Sequence, residues 1–179
     1  VFVTSEGTLL CPLEVYRPLN DPELTRWSDL QSNGICFRSN DDGHTWQSPS
    51  LVCHWWAGVE GGFAQTPSGK IVAAVRYQRP LLGSDPPDLV KKCGGIIREE
   101  VDGRSFGTPY KNVFMIDSHD GGRSWVDFRQ VCTRFGQTRG YPAALSDGTV
   151  VIVHDTRYGP GGPGSRAIVS HDEGRTWQD

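Results

Sequence analysis

Glu60 and Arg76 are the residues whose types and placement bear most directly on chemistry. They bracket the segment Glu60-Gly61-Gly62-Phe63-Ala64-Gln65-Thr66-Pro67-Ser68-Gly69-Lys70-Ile71-Val72-Ala73-Ala74-Val75-Arg76, in which Ser68-Gly69 marks a tight turn between two strand-like runs. Adjacent antiparallel strands joined by such a turn return the chain to its starting edge, so the carboxylate and the guanidinium are expected near each other at one end of a sheet. A planar guanidinium can hold a carboxylate-bearing ligand by two parallel charge-assisted hydrogen bonds, which an ammonium cannot match. The plainer reading is a cross-strand ion pair on an exposed rim. Arg157, in His154-Asp155-Thr156-Arg157, follows an apolar strand as Arg76 does, and Arg166 on the next strand competes with it.

The elements that must position these residues are written in a repeat. Ser39-Asn40-Asp41-Asp42-Gly43-His44-Thr45-Trp46 returns as Ser118-His119-Asp120-Gly121-Gly122-Arg123-Ser124-Trp125 and as Ser170-His171-Asp172-Glu173-Gly174-Arg175-Thr176-Trp177. The hydroxyl and the carboxylate of each copy can accept hydrogen bonds from nearby backbone N–H groups, the glycine supplies a left-handed conformation, and the Trp opens the next apolar stretch. Each copy is therefore a folded hairpin loop. A second repeat lies upstream of each: Glu6-Gly7-Thr8-Leu9-Leu10, Ser68-Gly69-Lys70-Ile71-Val72 and Asp147-Gly148-Thr149-Val150-Val151, a glycine turn followed by an apolar strand. The unit reads strand, turn, strand, variable loop, strand, repeated loop, strand, which is a four-stranded antiparallel blade.

With these residues in view, the chain resembles the sialidase family, whose β-propellers carry the S-x-D-x-G-x-[ST]-W motif as the Asp box, or bacterial neuraminidase repeat. The resemblance implies an all-β, sialidase-type propeller, six-bladed in the parent protein, of which residues 1–179 form a single incomplete domain of about three four-stranded blades, approximately 1–54, 55–132 and 133–179. Three blades do not close a ring, so further blades are expected to complete it. In the family the box joins the third and fourth strands, away from the catalytic face. Trp46 and Trp125 stand much farther apart than Trp125 and Trp177; the excess falls at roughly residues 80–111 in the middle blade. There Ile96-Ile97-Arg98-Glu99-Glu100-Val101 runs into Asp102-Gly103, which predicts an extra hairpin.

The resemblance also assigns expected roles. The family holds the carboxylate of a terminal sialic acid with three arginines and uses a Tyr nucleophile paired with a Glu, with an Asp as acid/base, an exception to the usual two-carboxylate glycosidase. On that pattern Glu60 would tune the nucleophile, Arg76 would bind the substrate carboxylate, and Arg157 or Arg166 would be a further binding arginine. Asp21, in the loop Arg17-Pro18-Leu19-Asn20-Asp21-Pro22, is the candidate acid/base and Asp29 a weaker one, against the reading of Asp21 as a turn former before proline. No Arg-Ile-Pro segment typical of the family's first binding arginine occurs, and Tyr77 and Tyr141 do not match the nucleophile motif. The nucleophile is expected beyond Asp179, so the chain alone should be catalytically incomplete. The implied activity is exo-cleavage of a terminal sialic acid or a related acidic sugar from a sialoglycan or other carbohydrate. The competing class is a non-catalytic propeller that binds carbohydrate or protein, because the repeated loop serves the blade and is silent about substrate.

Composition removes other classes. A net charge of −3 over 179 residues, with no run of Lys and Arg, argues against nucleic acid as a partner. No apolar stretch approaches the roughly 18 residues of a membrane span. The five cysteines, Cys11, Cys36, Cys53, Cys93 and Cys132, are widely spaced with no C-x-x-C pair, which points to small buried hydrophobes and to neither zinc nor a disulfide framework. His44, His119 and His171 sit in separate loops on different blades, so no metal or other cofactor is expected. The start at Val1, inside a strand-like segment, suggests that the natural termini lie outside this sequence. The compartment is left open, with a secreted or periplasmic setting among the options.

Overall fold

Glycine turns and repeated loops set the strand order seen in the computed structural model, which describes residues 1–16, 32–54, 57–79, 99–101, 104–106, 110–132, 137–156 and 162–178. The first sheet runs β1 (Phe2–Val3), β2 (Leu9–Tyr16), β3 (Ser32–Ser39) and β4 (Ser50–Cys53), each strand antiparallel to the next. The second sheet contains β5 (Ala57–Gln65), β6 (Ile71–Arg79), β9 (Tyr110–Ser118) and β10 (Val126–Gln130), in the order β10-β9-β6-β5. Between β6 and β9 the chain forms a small hairpin, β7 (Glu99–Val101) with β8 (Arg104–Phe106), in which Val101 faces Arg104. This is the extra hairpin anticipated from Asp102-Gly103.

The third sheet comprises β11 (Gln137–Ala144), β12 (Val150–Thr156) and β13 (Gly164–Ser170). It has three strands, and after the repeated loop a single bridge joins Val169 to Gln178 where a fourth strand would begin. The molecule is thus all-β, three antiparallel sheets that resemble propeller blades, and the described sheets do not close into a ring. Among the described residues no helix is long and apolar enough to cross a membrane.

The repeated loops fold alike because each solves the same hydrogen-bonding problem. Ser39 Oγ donates to Asp41 Oδ1 at 2.7 Å and accepts from Gly43 N at 2.9 Å, while Thr45 N donates to Asp41 Oδ1 at 2.9 Å. Ser118, Asp120, Gly122 and Ser124 repeat that pattern, as do Ser170, Asp172, Gly174 and Thr176. Gly43, Gly122 and Gly174 lie at φ of 86°, 83° and 86°, where an L side chain is strained. The second loop also ties sheets together: Trp125 stacks on Phe63 with centroids 5.2 Å apart, and its Nε1 donates to Ser50 Oγ of the first sheet at 3.1 Å.

Two apolar clusters fill the gaps between sheets. Leu10, Cys36, Val52 and Cys53 meet Val59, Phe63, Ile71, Ala73, Val75 and Ile116 between the first and second sheets. Val72, Ala74, Val113 and Met115 meet Val150, Ile152 and Ile168 between the second and third. Alternation along β6 sends Ile71, Ala73 and Val75 to one cluster and Val72 and Ala74 to the other, so both faces of the middle sheet are buried. At the inner edge the second and third sheets touch backbone to backbone, since a Cβ on Gly61 would overlap the carbonyl oxygen of Gly140.

Candidate functional site

At the sheet end opposite the repeated loops, a chain of charges crosses all three sheets. Arg76, near the end of β6, places Nη2 3.1 Å from Glu60 Oε1 and 3.2 Å from Glu14 Oε1. Glu60 uses its other oxygen, Oε2, to accept from Arg139 Nε on β11 at 3.0 Å. Arg139 N in turn donates to Asp155 Oδ1 of β12 at 3.0 Å. The order Glu14, Arg76, Glu60, Arg139, Asp155 alternates in sign and links β2 to β12.

Local backbone irregularities make this geometry. The pairing of β5 with β6 shifts register between Gly58 and Gly62, a bulge of the kind that re-aims side chains, and Glu60 lies inside it. Gly58 opposes Arg76 in that pairing, and a Cβ there would come within 2.5 Å of the Glu14 carboxylate. A glycine at 58 is therefore what lets Glu14 of the first sheet reach Arg76 of the second.

Burial is graded along the chain of charges. The side chains of Glu14, Arg76 and Glu60 are 11%, 17% and 24% exposed, against 50% for Arg139. Arg76 Nη1 donates to Gln78 Oε1 at 3.1 Å, whereas its Nε is buried and makes no hydrogen bond. Arg139 is held above the ordinary guanidinium range, first by its hydrogen bond to Glu60 and then by the charge of that carboxylate. With Arg76 Nη2 shared by Glu14 and Glu60 and Nη1 on Gln78, the described residues form a preorganised ion-pair network in which an anionic ligand would have to compete with these carboxylates for Arg76.

Of the residues singled out in the sequence, Glu60 and Arg76 are brought into direct contact. Arg166 stands on β13 opposite His154, and no ion pair among the described residues joins it to Glu60 or Arg76. Asp21, Asp29 and Arg157 lie outside the described residues. Tyr77 belongs to an aromatic group with Tyr110, Phe114 and Phe128, and Tyr141 is exposed on β11. Sequence reasoning missed Glu14 and Arg139. A signal for Glu14 was present: Glu14, Arg76 and Asp155 each fall seven residues after a turn glycine, Gly7, Gly69 and Gly148. By that offset Asp155, and not Arg157, matches Arg76.

At the other end of the sheets a cleft of about 720 Å³ is lined by Lys70, Asp117, His119, Asp127, Arg129 and Glu173 among others. Asp117, His119 and Asp127 have ligand atoms within 4.8 Å of one another, which is metal-like spacing. The Asp117 carboxylate, however, is engaged by Lys70 Nζ at 3.3 Å and by Arg129 Nη2 at 3.1 Å. Two cations on the only buried ligand of the three favour an ion-pair cluster over a metal site.

No family model matches the chain, and no curated protein matches it. Solved structures do. The Hadza microbial sialidase Hz136 superimposes with a TM-score of 0.62 at 16% identity, covering 98% of this chain and 35% of that one. The intramolecular trans-sialidase from Ruminococcus gnavus, solved with oseltamivir carboxylate, gives 0.57 at 12% identity over 97% of this chain and 57% of its own. A PL25 ulvan lyase bound to -[GlcA(1-4)Rha3S]- gives 0.53 at 13% identity over 99% and 41%. The chain spans from about a third to just over half of the length of these proteins. At such identities the likeness is one of fold: the chain has the sheet arrangement found in sialidase and polysaccharide lyase propellers.

Proposed function

We propose that this chain is part of a sialidase-like glycoside hydrolase that cleaves a terminal sialic acid or a related acidic sugar from a glycan. The observation that carries the reading is Arg76 held between Glu60 and Glu14 at the strand ends opposite the Asp-box loops. In this reading Arg76 presents its guanidinium to the sugar carboxylate, and Glu60 raises the basicity of a nucleophile supplied by another part of the ring. Arg139 and Glu14 hold these two groups in place. The sialidases and the uronate-bound lyase of similar fold support an acidic sugar as the ligand class.

The test is release of a fluorogenic sialoside by the ring-complete protein, with Arg76→Ala and Glu60→Gln beside the unchanged protein. A fall of orders of magnitude in both variants, at unchanged circular dichroism, is the expected result. Turnover equal to the unchanged protein in Arg76→Ala would remove Arg76 from the site.

A second reading, a non-catalytic binding propeller, is favoured by the saturation of Arg76 Nη2 by two carboxylates, as in a purely structural ion pair. Glycan binding without turnover in the ring-complete protein would select it.

A further inference from the structure

Arg38, on β3 just before the first repeated loop, is a buried cation held by neutral groups. It is 5% exposed. Its Nε donates to the carbonyl oxygen of Gly121 in the second loop at 2.7 Å, and its Nη1 donates to Gln47 Oε1 at 2.8 Å. Among the described residues Nη2 makes no hydrogen bond, and no carboxylate forms an ion pair with this guanidinium. Burial holds it below the ordinary guanidinium range, nearby Arg123 adds to that, and Asp120 offsets the two only in part. A buried charge ordinarily has an opposite charge beside it.

The second and third sheets make the same contact with the opposite charge in place. There Lys70, 6% exposed, donates from Nζ to the carbonyl oxygen of Glu173, the fourth residue of its loop as Gly121 is of the second. Asp117 Oδ2 lies 3.3 Å from that Nζ. The Glu173 carboxyl is held below its usual range first by hydrogen bonds from Ser68 and then by the Lys70 charge. Neither carboxylate has a counterpart beside Arg38. Asp117 directly precedes Ser118, and the residue that directly precedes Ser39 is Arg38 itself; the fourth loop residue reads Asp42, Gly121 and Glu173.

The glycine leaves room between two guanidiniums. Apart from its chain neighbours, a Cβ on Gly121 would meet only Arg123 Nη1 at 3.8 Å and Arg38 Nη2 at 3.9 Å. All three residues line a pocket of about 430 Å³ between the first and second sheets. Two acidic residues line it as well, and both are engaged elsewhere. Asp120 accepts from Arg123 N, Ser124 N and Ser124 Oγ of its own loop, and Glu6 accepts from Ser5 Oγ at 2.8 Å and Gln65 Nε2 at 3.3 Å.

We propose that this pocket binds a small oxyanion, a carboxylate or a phosphate, between Arg38 and Arg123. The ligand supplies from solution the negative charge that Asp117 and Glu173 supply to Lys70, and it accepts charge-assisted hydrogen bonds from the two guanidiniums. The site lies at the loop end of the sheets, opposite Glu60 and Arg76, and is independent of the proposed activity.

The test is calorimetric titration of the ring-complete protein with sodium acetate and with inorganic phosphate at constant ionic strength. Saturable binding of at least one anion is expected, and the one bound more tightly tells carboxylate from phosphate. Arg38→Gln and Arg123→Gln should each weaken it at least about tenfold. Gly121→Glu, which gives the second loop the carboxylate of the third, should abolish it. Asp42 and Glu173 hold φ of 54° and 56° at that loop position, so an L side chain is accepted there. Arg38 is buried, so Gly121→Glu and the exposed Arg123→Gln carry the test if Arg38→Gln does not fold. No saturable binding of either anion, or binding that Gly121→Glu leaves unchanged, would overturn the proposal.

Discussion

Gly61 and Gly140 place the second and third sheets in backbone contact: a Cβ on Gly61 would overlap the Gly140 carbonyl oxygen, and one on Gly140 would come within 2.9 Å of Ile152 and Val113. The obstacle at Gly61 is backbone, which cannot swing aside as a side chain can. Gly61→Ala is therefore expected to force β5 and β11 apart and to destabilise the fold by about 1–3 kcal/mol or more, the range for overpacking. Urea unfolding checks this, with Gly62→Ala as the comparison. A Cβ on Gly62 would meet no atom within 4 Å, but the residue lies at φ 119°, so its cost is conformational strain and should not depend on the neighbouring sheet.

The gradient of burial along the charge chain predicts a gradient of energies. Glu14→Gln removes a largely buried charge from Arg76 and is expected to cost about 1.5–3 kcal/mol, as for a hydrogen bond to a charged group. Arg139→Gln removes a half-exposed partner of Glu60 and should cost no more than about 1 kcal/mol. Equal costs, measured by denaturant unfolding, would show that position along the chain does not set the strength of its links.

Much of this arrangement is legible in the amino-acid sequence. Three repeated loops and three glycine turns state the strand order, and the meeting of Glu60 with Arg76 follows from one hairpin. Glu14 and Arg139 were not found because their partners lie on other sheets, and sheet-to-sheet contacts leave no local pattern. The bulge between Gly58 and Gly62 adds to this, since it breaks the two-residue alternation from which facing positions are inferred. The offset from the turn glycine does survive the bulge, because it is counted along β2, β6 and β12, and it aligns Glu14, Arg76 and Asp155.

The repeated loops predict acid sensitivity. Hydrogen bonds from the Thr45 hydroxyl and backbone hold the Asp41 carboxyl down at about 2. Burial pushes the Asp120 carboxyl up, but hydrogen bonds from Ser124, Ser118 and Arg123 outweigh it and leave it at about 2 as well. A carboxyl depressed in the folded state stabilises the fold above its unfolded value, near 3.9, and that contribution is lost as pH falls toward the folded value. Stability should therefore decline from about pH 4 to about pH 2. In Asp120→Asn the decline should be shallower, with lower stability at neutral pH. An unchanged slope in unfolding measured across that window would count against the loops as the acid-labile element.

Lys70, Asp117 and Arg129 give the sharpest contrast between removing a partner and removing the central charge. Lys70 and Asp117 are nearly inaccessible, with side chains 7% and 5% exposed. Asp117→Asn would leave two cations around a neutral group, the situation in which breaking a buried pair costs about 3–5 kcal/mol. Lys70→Met leaves Asp117 still held by Arg129 at 3.1 Å and replaces the Lys stem with apolar atoms of similar shape, so a smaller loss is expected. Asp117→Asn combined with Lys70→Met should then be less damaging than the sum of the two, because the second change removes a cation that the first has stranded. A double-mutant cycle by urea unfolding measures that coupling, and strict additivity would mean that Lys70 draws its stability from the backbone carbonyl of Glu173, to which Nζ also donates at 2.5 Å, rather than from Asp117.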